Sequence, residues 1–288
     1  MPANSITVFK KYVPLLDEAY KLASLTSVLD GPNDLAREGA NAGEIVIPDM
    51  VLQGLVGYAR NTGFTDGTVT LQNTTYACNY ERGRMFMVDA MDNAETAGVA
   101  FGRLAGEFIR MHVAPEIDAF RIAKYAGYSG VGGTEAALAT GADVVAALRA
   151  AIAAMDNGEV PLSERYLFIT PNLYGMVEDL DTTKSRAVLS RFQKIIQVPQ
   201  TRMYTAITLS TSGNGGYSKS TSGKALNFLA VHKSAVIQYN KHIAPKVVTP
   251  EQNQTADAWK FGYRVNGIAE VFKNKKAGIY AHNAPATT

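Results

Sequence analysis

Residues 92–127 read DNAETAGVAFGRLAGEFIRMHVAPEIDAFRIAKYAG, the longest stretch of the chain without turn-forming sequence apart from one proline. Apolar residues recur there at helical spacing, namely Phe101, Leu104, Ala105 and Phe108. Asp92 is a suitable N-cap for this helix. Pro115 has no amide hydrogen to bond the carbonyl of Met111, so we expect a kink or a restart there. The stretch predicts a long helix of two coaxial or slightly bent pieces, together about 50 Å long.

Two segments of different character precede this helix. Residues 1–44 predict an arm with one amphipathic helix, which starts at Pro14 and ends near Asp30–Pro32. Residues 45–91 contain Asn-Thr-Gly and Asp-Gly turn signals and two short strand patterns, at Thr68–Gln72 and Met85–Val88. Because this excursion has little core-forming pattern, we expect it to be functional or covered by a partner.

The second half of the chain mixes helix and strand patterns. We predict a helix over Asp143–Asp156 capped by Asp143, a buried strand at Tyr166–Ile169, a short helix from Pro171 to about Glu178, a strand at Ile207–Leu209, a solvated hairpin tip at Ser210–Gly223, one bent strand or a strand pair over Leu226–Gln238, and two strands within Phe261–Tyr280. The pattern as a whole indicates an α+β protein, and a length of 288 residues favours two lobes.

Composition excludes several classes of protein. A hydrophobic content of 47% is too high for a disordered chain, and a net charge of +2 is too small to indicate nucleic-acid binding by charge alone. The single cysteine, Cys78, rules out an internal disulfide. No run of 18 apolar residues occurs, and the N-terminus has no secretory pattern. We therefore expect a soluble protein that is made in the cytoplasm and does not span a membrane.

No motif indicates catalysis. The glycine-rich break around Gly130–Thr134 lacks nucleotide-binding spacing, and Ser222–Ala225 lacks the residues of a P-loop. The histidines are scattered, at positions 112, 232, 242 and 282. The carboxylate pairs Asp89/Asp92 and Glu116/Asp118 are most simply charges at helix starts. We predict no catalytic residue, no cofactor and no metal site, and hence a protein that is not an enzyme.

Several stretches together resemble the major capsid proteins of tailed double-stranded-DNA phages, which have the Hong Kong 97-like fold. They are Gly54–Phe64, Arg82–Asp92 continuing to Thr96, Pro115–Arg121, and a final region that runs from Val231–Val236 through Ala256–Arg264 to Asn274–Tyr280. Each stretch alone is a weak signal. Their order and spacing, over most of residues 54–282, make the resemblance fairly specific, and none of them is a catalytic signature.

The resemblance implies a domain layout that follows the segments described above. It places an N-terminal arm at 1–44, an extended loop at 45–91, and a peripheral domain with a long spine helix at 92–131. An axial domain would occupy 132–256, and residues 257–288 would return to the peripheral domain. The long helix and the coreless excursion suit a subunit whose neighbours cover them.

The resemblance also implies a function. The chain would be a structural subunit that self-assembles, through pentamers and hexamers, into the icosahedral shell around the double-stranded DNA of a tailed phage. It would be located in the virion capsid and assemble in the cytoplasm of the bacterial host. The implied partners are itself, a portal, possible decoration proteins and packaged DNA contacted without sequence preference, with no membrane. Two alternatives remain: a cellular nanocompartment shell of the same fold, and a two-lobed soluble enzyme or ligand-binding protein.

Two departures from the family pattern matter. Relatives with a built-in scaffolding segment carry a helical extension before the arm, whereas here the arm begins at residue 1, so we expect a separate scaffolding protein or a processed precursor. No lysine occurs between Lys21 and Lys124. Some relatives cross-link through a lysine in the extended loop, and this chain cannot use that route. We therefore expect its shell to be held non-covalently or by accessory proteins.

Charged residues of the loop and of the long helix are our candidates for contacts between subunits. The loop carries Arg60, Arg82 and Arg84, and the helix carries Glu107, Glu116 and Asp118. Arginine binds carboxylates through two parallel hydrogen bonds, so the two sets are complementary. The alternative is that these arginines only satisfy local turns within the loop.

Overall fold

The computed structural model describes residues 24–31, 37–38, 44–58, 60–61, 63–64, 66–95, 99–211 and 213–285. Its helices are α1 (Ala90–Glu95), α2 (Val99–Phe108), α3 (Ala114–Ala126), α4 (Gly141–Asn157), α5 (Pro171–Leu180) and α6 (Thr183–Leu189). Most of the arm helix predicted from Pro14 to near Asp30–Pro32 lies outside the described residues. Residues 24–31 are described and contain only a 3₁₀ turn, Ser27–Leu29, so the predicted end of the helix near Asp30 was wrong.

The strands fall into four sheets. They are β1 (Arg37–Glu38), β2 (Glu44–Leu52), β3 (Val69–Ala77), β4 (Tyr80–Asp89), β5 (Gly132–Glu135), β6 (Arg165–Ile169), β7 (Lys194–Gln197), β8 (Ile207–Leu209), β9 (Tyr217–Lys219), β10 (Leu226–His232), β11 (Val236–Val248), β12 (Ala258–Val271) and β13 (Ile279–Asn283). The neighbour orders are β1-β2-β3, β11-β12-β4, β5-β13-β10-β6-β7 and β8-β9.

The predicted long helix runs from Ala90 to Ala126 wherever it is described, and it restarts at the proline. A π-helical turn, Ile109–Val113, joins α2 to α3, and Pro115 lies in the first turn of α3. The amide of Ala114 bonds to the carbonyl of Ile109, five residues earlier, instead of four. The wider turn accommodates the proline, which can neither donate a hydrogen bond nor fit closely against the preceding turn.

The helix packs against one face of the antiparallel sheet β11-β12-β4. Alternation along β4 points Phe86 and Val88 inward, and the ring of Phe86 meets that of Phe108 edge-on at 4.7 Å. Ten of the thirteen residues of α3 are buried. This helix is therefore surrounded by protein on nearly all sides and does not lie on the surface.

The five-stranded sheet joins this core to a second one. All five residues of β6 are buried, as expected for a strand covered on both faces. Phe168 contacts the core of the long helix, whereas Leu167 and Ile169 pack with Val144 and Leu148 of α4. Neighbouring residues of this one strand therefore contribute to two different apolar clusters, one on each face of the sheet.

Strands from one predicted segment of the sequence lie in different sheets. Leu226–Gln238, expected to be one bent strand or a strand pair, is divided between β10 and β11, which lie in different sheets. A short 3₁₀ turn at Lys233–Ala235 separates them. The last strand, β13, pairs with β10 and β5 instead of with β12. The predicted boundaries at residues 44, 91, 131 and 256 stay predictions.

Two predicted helix caps were wrong by one turn. The carboxylate of Asp89, and not that of Asp92, accepts the amide of Met91 at 2.9 Å at the start of α1. Thr140, and not Asp143, is the N-cap of α4. Asp143 completes a capping box because its carboxylate accepts the amide of Thr140 at 3.0 Å, and hydrogen bonds from Thr140 lower the pKa of Asp143.

We predict that Thr140→Ala lowers the free energy of unfolding by about 0.5–2 kcal/mol, because the side chain that accepts the amide of Asp143 is lost. Urea unfolding followed by circular dichroism measures the change. Thr183→Ala is the control, since Thr183 is an exposed threonine in the first turn of α6 with Thr182 as the actual cap. Equal effects of the two substitutions would contradict the assignment of the cap.

Candidate assembly surface

The β2–β3 hairpin is a ribbon that the rest of the chain leaves largely uncovered. Its strands pair in register from Glu44 opposite Ala77 to Leu52 opposite Val69. Seven of the nine residues of β3 are exposed and the other two are only half-buried. A ribbon of this length gains little stability by itself, so it needs a covering surface.

The distal part of the hairpin, which we call the hairpin tip (residues 52–69), exposes large apolar side chains. Leu55 is fully exposed, Phe64 is 90% exposed and Val56 is 70% exposed. The remaining exposed apolar residues of the tip are Leu52, Tyr58 and Val69, and Met50 and Leu71 extend the surface toward the root. The rings of Tyr58 and Phe64 lie 5.0 Å apart. An apolar surface of this kind marks a site of protein–protein contact.

The root of the hairpin is fixed by the side chain of Asn79, which makes two hydrogen bonds to the backbone of β12 as a paired strand would. Asn79 lies between β3 and β4, and its amide group donates to the carbonyl of Ala269 at 2.8 Å. The amide of Ala269 donates back to the Asn79 side chain at 3.1 Å. The ring of Tyr76 meets that of Phe272 edge-on at 6.3 Å. The rest of the chain therefore holds the base of the hairpin, whereas the tip is largely uncovered.

Methionines form a second exposed apolar surface near this root. On β4, Met85 and Met87 are 56% and 60% exposed, and they alternate with residues that face the helix. Met91 and Met111 are exposed as well. Methionine side chains are flexible and adapt to partners of irregular shape.

The last residues of the predicted arm are fastened to the long helix by one buried carboxylate. Asp118 is completely buried and accepts five hydrogen bonds. Four come from Ser24, Leu25 and Thr26, and the fifth comes from Arg202 at 3.2 Å. These donors saturate both oxygens of the carboxylate.

Neighbouring polar groups extend this fastening to residues 26–31. Arg121 donates to the hydroxyl of Thr26 at 3.0 Å and lies 3.6 Å from the carboxylate of Asp30. Gln238 of β11 donates to the carbonyl of Thr26 and accepts from the hydroxyl of Tyr125. Burial is the main cause that raises the pKa of Tyr125 far above its ordinary value, so the phenol stays a proton donor.

Arg82 and Glu116, two of the predicted contact residues, bind each other within one chain. The Nε of Arg82 lies 2.8 Å from the carboxylate of Glu116, which also accepts from the hydroxyl of Tyr80. Arg82 donates further to the carbonyl of Ser210 at 2.7 Å. This pair is mostly buried, so it joins β4, α3 and the β8–β9 loop inside the subunit.

The other candidates differ in their exposure. Arg84 donates to the carbonyl of Gly213 at 2.6 Å. Glu107 pairs with Arg110 on the surface at 2.6 Å, and Arg60 is exposed on the hairpin tip. Asp118 is saturated by its own chain, so no oxygen of this carboxylate is left for a neighbouring subunit. Arg60, Arg84 and Glu107 therefore remain as accessible charged groups.

The Ser210–Gly223 segment forms a largely exposed hairpin with β8, as predicted, and it is in addition held against β4 through the carbonyls that Arg82 and Arg84 bind. The buried role of Glu116 and Asp118 was missed. The sequence did contain a signal for this burial. The apolar residues Ile117, Ala119 and Phe120 point in several directions around this turn of the helix, which indicates that the whole turn is buried.

Other titratable groups are buried without forming a reactive cluster. Burial lowers the pKa of His232 and of His282, so both are neutral at pH 7. Across the described ranges, no group of three or more histidine, cysteine, aspartate or glutamate side chains is arranged to hold a metal ion. None of the helices in the described part of the chain is long and apolar enough to cross a membrane.

Comparison of the sequence with family profiles gives no match. Comparison with curated proteins gives no match either. The similarity to known proteins lies in the three-dimensional structure.

Solved phage structures share this fold over most of their length. A chain from Microbacterium phage Oxtober96 matches with a TM-score of 0.61 and 11% identity, covering 85% of this chain and 87% of that one. The capsid structure of Cyanophage P-SCSP1u matches with a TM-score of 0.57 and 14% identity, covering 87% and 86%. The virus-like particle from Pyrococcus furiosus matches with a TM-score of 0.60 and 11% identity, covering 95% and 98%. The chain has the predicted α+β, Hong Kong 97-like capsid fold.

We predict that Asp118→Asn lowers the free energy of unfolding by about 3 kcal/mol, because Arg202 and several buried donors lose a charged acceptor. Hydrogen exchange should also become faster at the amides of Leu25 and Thr26, which bond directly to this carboxylate. Glu107→Gln is the control, since its exposed ion pair contributes only about 0–1 kcal/mol. Unchanged exchange at both amides would show that another contact holds this segment.

Proposed function

We propose that this chain is a structural subunit of a tailed-phage capsid shell. The observation that carries the proposal is the exposed apolar hairpin tip on a fold that solved phage capsid structures share. A free subunit would leave these side chains in water, whereas neighbouring copies in a closed shell would bury them. The proposed function is therefore structural, and it depends on non-covalent association between copies of the chain.

The contact would use surfaces that the subunit itself cannot cover. The hairpin tip of one copy would pack on an adjacent copy, and the methionine surface around Met85 and Met87 is suited to receive it. A specific interface of standard size buries roughly 1,200–2,000 Å² in total. Repetition around a closed symmetric shell makes many modest contacts cooperative.

The proposed layout follows the two sheets. The sheet β11-β12-β4 with α2 and α3 would form the peripheral domain, and the five-stranded sheet with α4 would form the axial domain. Residues 45–91 would be the extended loop, whose last strand β4 pairs with the peripheral sheet, and residues 1–44 would be the arm. The arm would be anchored at its end by Asp118.

The finer partners belong to the same proposal. They are pentamers and hexamers of the chain, a separate scaffolding protein, a portal, possible decoration proteins and packaged double-stranded DNA contacted mainly through its phosphates. Assembly would take place in the cytoplasm of the bacterial host. Arg60, Arg84 and Glu107 are the accessible candidates for charged contacts between subunits.

A nanocompartment shell is the second candidate function. It is favoured by the match to the virus-like particle from Pyrococcus furiosus, which covers 98% of that chain. Electron microscopy of particles from cells that carry the complete surrounding gene cluster separates the two, with double-stranded DNA in the interior for a phage shell and an enclosed protein for a compartment.

We predict that the double substitution Leu55→Asp and Phe64→Asp leaves the subunit folded but abolishes closed shells. Each change replaces an exposed apolar side chain with a charge that the proposed interface would have to desolvate. Electron microscopy and size-exclusion chromatography measure assembly, and circular dichroism checks folding. Asn61→Asp together with Gln72→Asp adds the same charge to the hairpin at exposed polar positions and should preserve shells. Shells at the normal yield from the first variant would refute the role of the tip.

A further inference from the structure

Three asparagines of this chain are followed by glycine, namely Asn157, Asn214 and Asn266. An asparagine followed by glycine can deamidate spontaneously, without an enzyme. The backbone nitrogen of the glycine attacks the side-chain carbonyl carbon of the asparagine, ammonia leaves, and a five-membered succinimide forms. Water then opens the ring and leaves aspartate or isoaspartate. The reaction needs an accessible backbone nitrogen and a backbone that can rotate toward the ring geometry.

The structure protects two of the three sites. Asn157 is the last residue of α4, and the amide of Gly158 donates to the carbonyl of Ala154 at 3.1 Å. Asn266 lies in β12 between two paired strands, and its side chain donates to Glu81 at 3.2 Å. Ring closure at either site would first have to break regular secondary structure.

Asn214 is in a different situation. It is exposed at the tip of the β8–β9 loop, outside any strand or helix. Gly215 and Gly216 follow it with φ angles of +66° and +81°. Only glycine adopts two successive left-handed conformations at low cost, so this backbone can reach geometries that a side chain would forbid. The amide of Ser210 bonds to the carbonyl of Gly216 at 2.9 Å and holds the two ends of the loop together.

A cation lies next to the loop backbone at Gly213 and Gly215. The Nη1 atom of Arg84 lies 3.2 Å from the point where a Cβ atom of Gly215 would be, and its Nη2 donates to the carbonyl of Gly213 at 2.6 Å. A guanidinium this close to the backbone of Gly215 would favour the deprotonated amide nitrogen of Gly215 and the negative charge that develops on the attacked carbonyl oxygen. We propose that Asn214 is a site of spontaneous deamidation that Arg84 promotes.

Deamidation of Asn214 would add a negative charge to the cavity that this residue lines. Asn214 lines a cavity of about 200 Å³ together with Arg82, Arg84, His112 and Glu116. Glu116 is already paired with Arg82, so Arg84 is the cation beside the loop that is available to the new carboxylate. Deamidation would therefore add an ion pair between the loop and β4, and it would fasten the β8–β9 loop to the strand that leads out of the hairpin.

Peptide mass spectrometry of the ageing full-length protein tests the proposal, because conversion of amide to acid has a defined mass change. At neutral pH we expect Asn214 to convert at least about tenfold faster than Asn157 or Asn266, a difference of about 1.4 kcal/mol in barrier. The rate should rise with pH because the nucleophile is the deprotonated amide. Arg84→Gln should slow conversion, whereas Arg264→Gln, which removes an arginine from the neighbouring strand, should leave it unchanged.

Two results would overturn the proposal. Conversion at Asn214 no faster than at the two protected sites would show that the loop holds the asparagine in an unreactive geometry. Conversion that is equal or faster in Arg84→Gln would show that the guanidinium only restrains the loop. Circular dichroism of each variant confirms that the rates refer to folded protein. The rates are measured on unassembled protein isolated by size-exclusion chromatography, so they can be judged separately from the proposed function.

Discussion

A carboxylate that is removed from water must find donors for its lone pairs, and Asp118 finds them in a distant part of the sequence. Its five hydrogen bonds come from residues 24–26 and from Arg202, and Arg121 and Gln238 add a second layer around the same segment. The helix, the end of the arm and β11 are thus placed by one polar cluster. Removing a single partner would leave buried charge unsatisfied, which makes the arrangement strongly specific even where its net stabilisation is small.

Periodicity in the sequence predicted the strongest elements, whereas short ones such as the helix Thr183–Leu189 and the strand Lys194–Gln197 were missed. The helix around Phe108, the buried strand at Tyr166–Ile169 and the long terminal strands all follow from apolar spacing, which depends only on local geometry. The irregular, π-helical turn before Pro115 follows from the missing amide hydrogen of the proline for the same reason. The four resembling stretches gave the fold, although the identity to the solved structures is only 11–14% in the three comparisons described.

The partners of charged side chains could not be predicted in the same way. Arg82 and Glu116 are separated by 34 residues, and Asp118 is separated from Ser24 by 94 residues. No local pattern shows which charge will be buried beside which, because that depends on how the sheets stack on the helix. The assignment of Arg82 and Glu116 to contacts between subunits used charge complementarity alone, and the structure places that complementarity within one subunit.

Because Arg82, Glu116 and Asp118 are paired within one chain, few charged groups are left for the proposed contacts between copies. An exposed ion pair contributes about 0–1 kcal/mol, and only Arg60, Arg84 and Glu107 of the predicted charges remain accessible. Full burial of one large apolar side chain contributes about 1.5–3 kcal/mol. Eight such side chains are exposed on the described part of the hairpin and its tip, from Met50 to Leu71. Even if only half of that area is covered by neighbours, apolar burial exceeds the charged contacts several-fold. In the proposed shell, association between copies should accordingly depend weakly on salt and strongly on the shape of the hairpin tip.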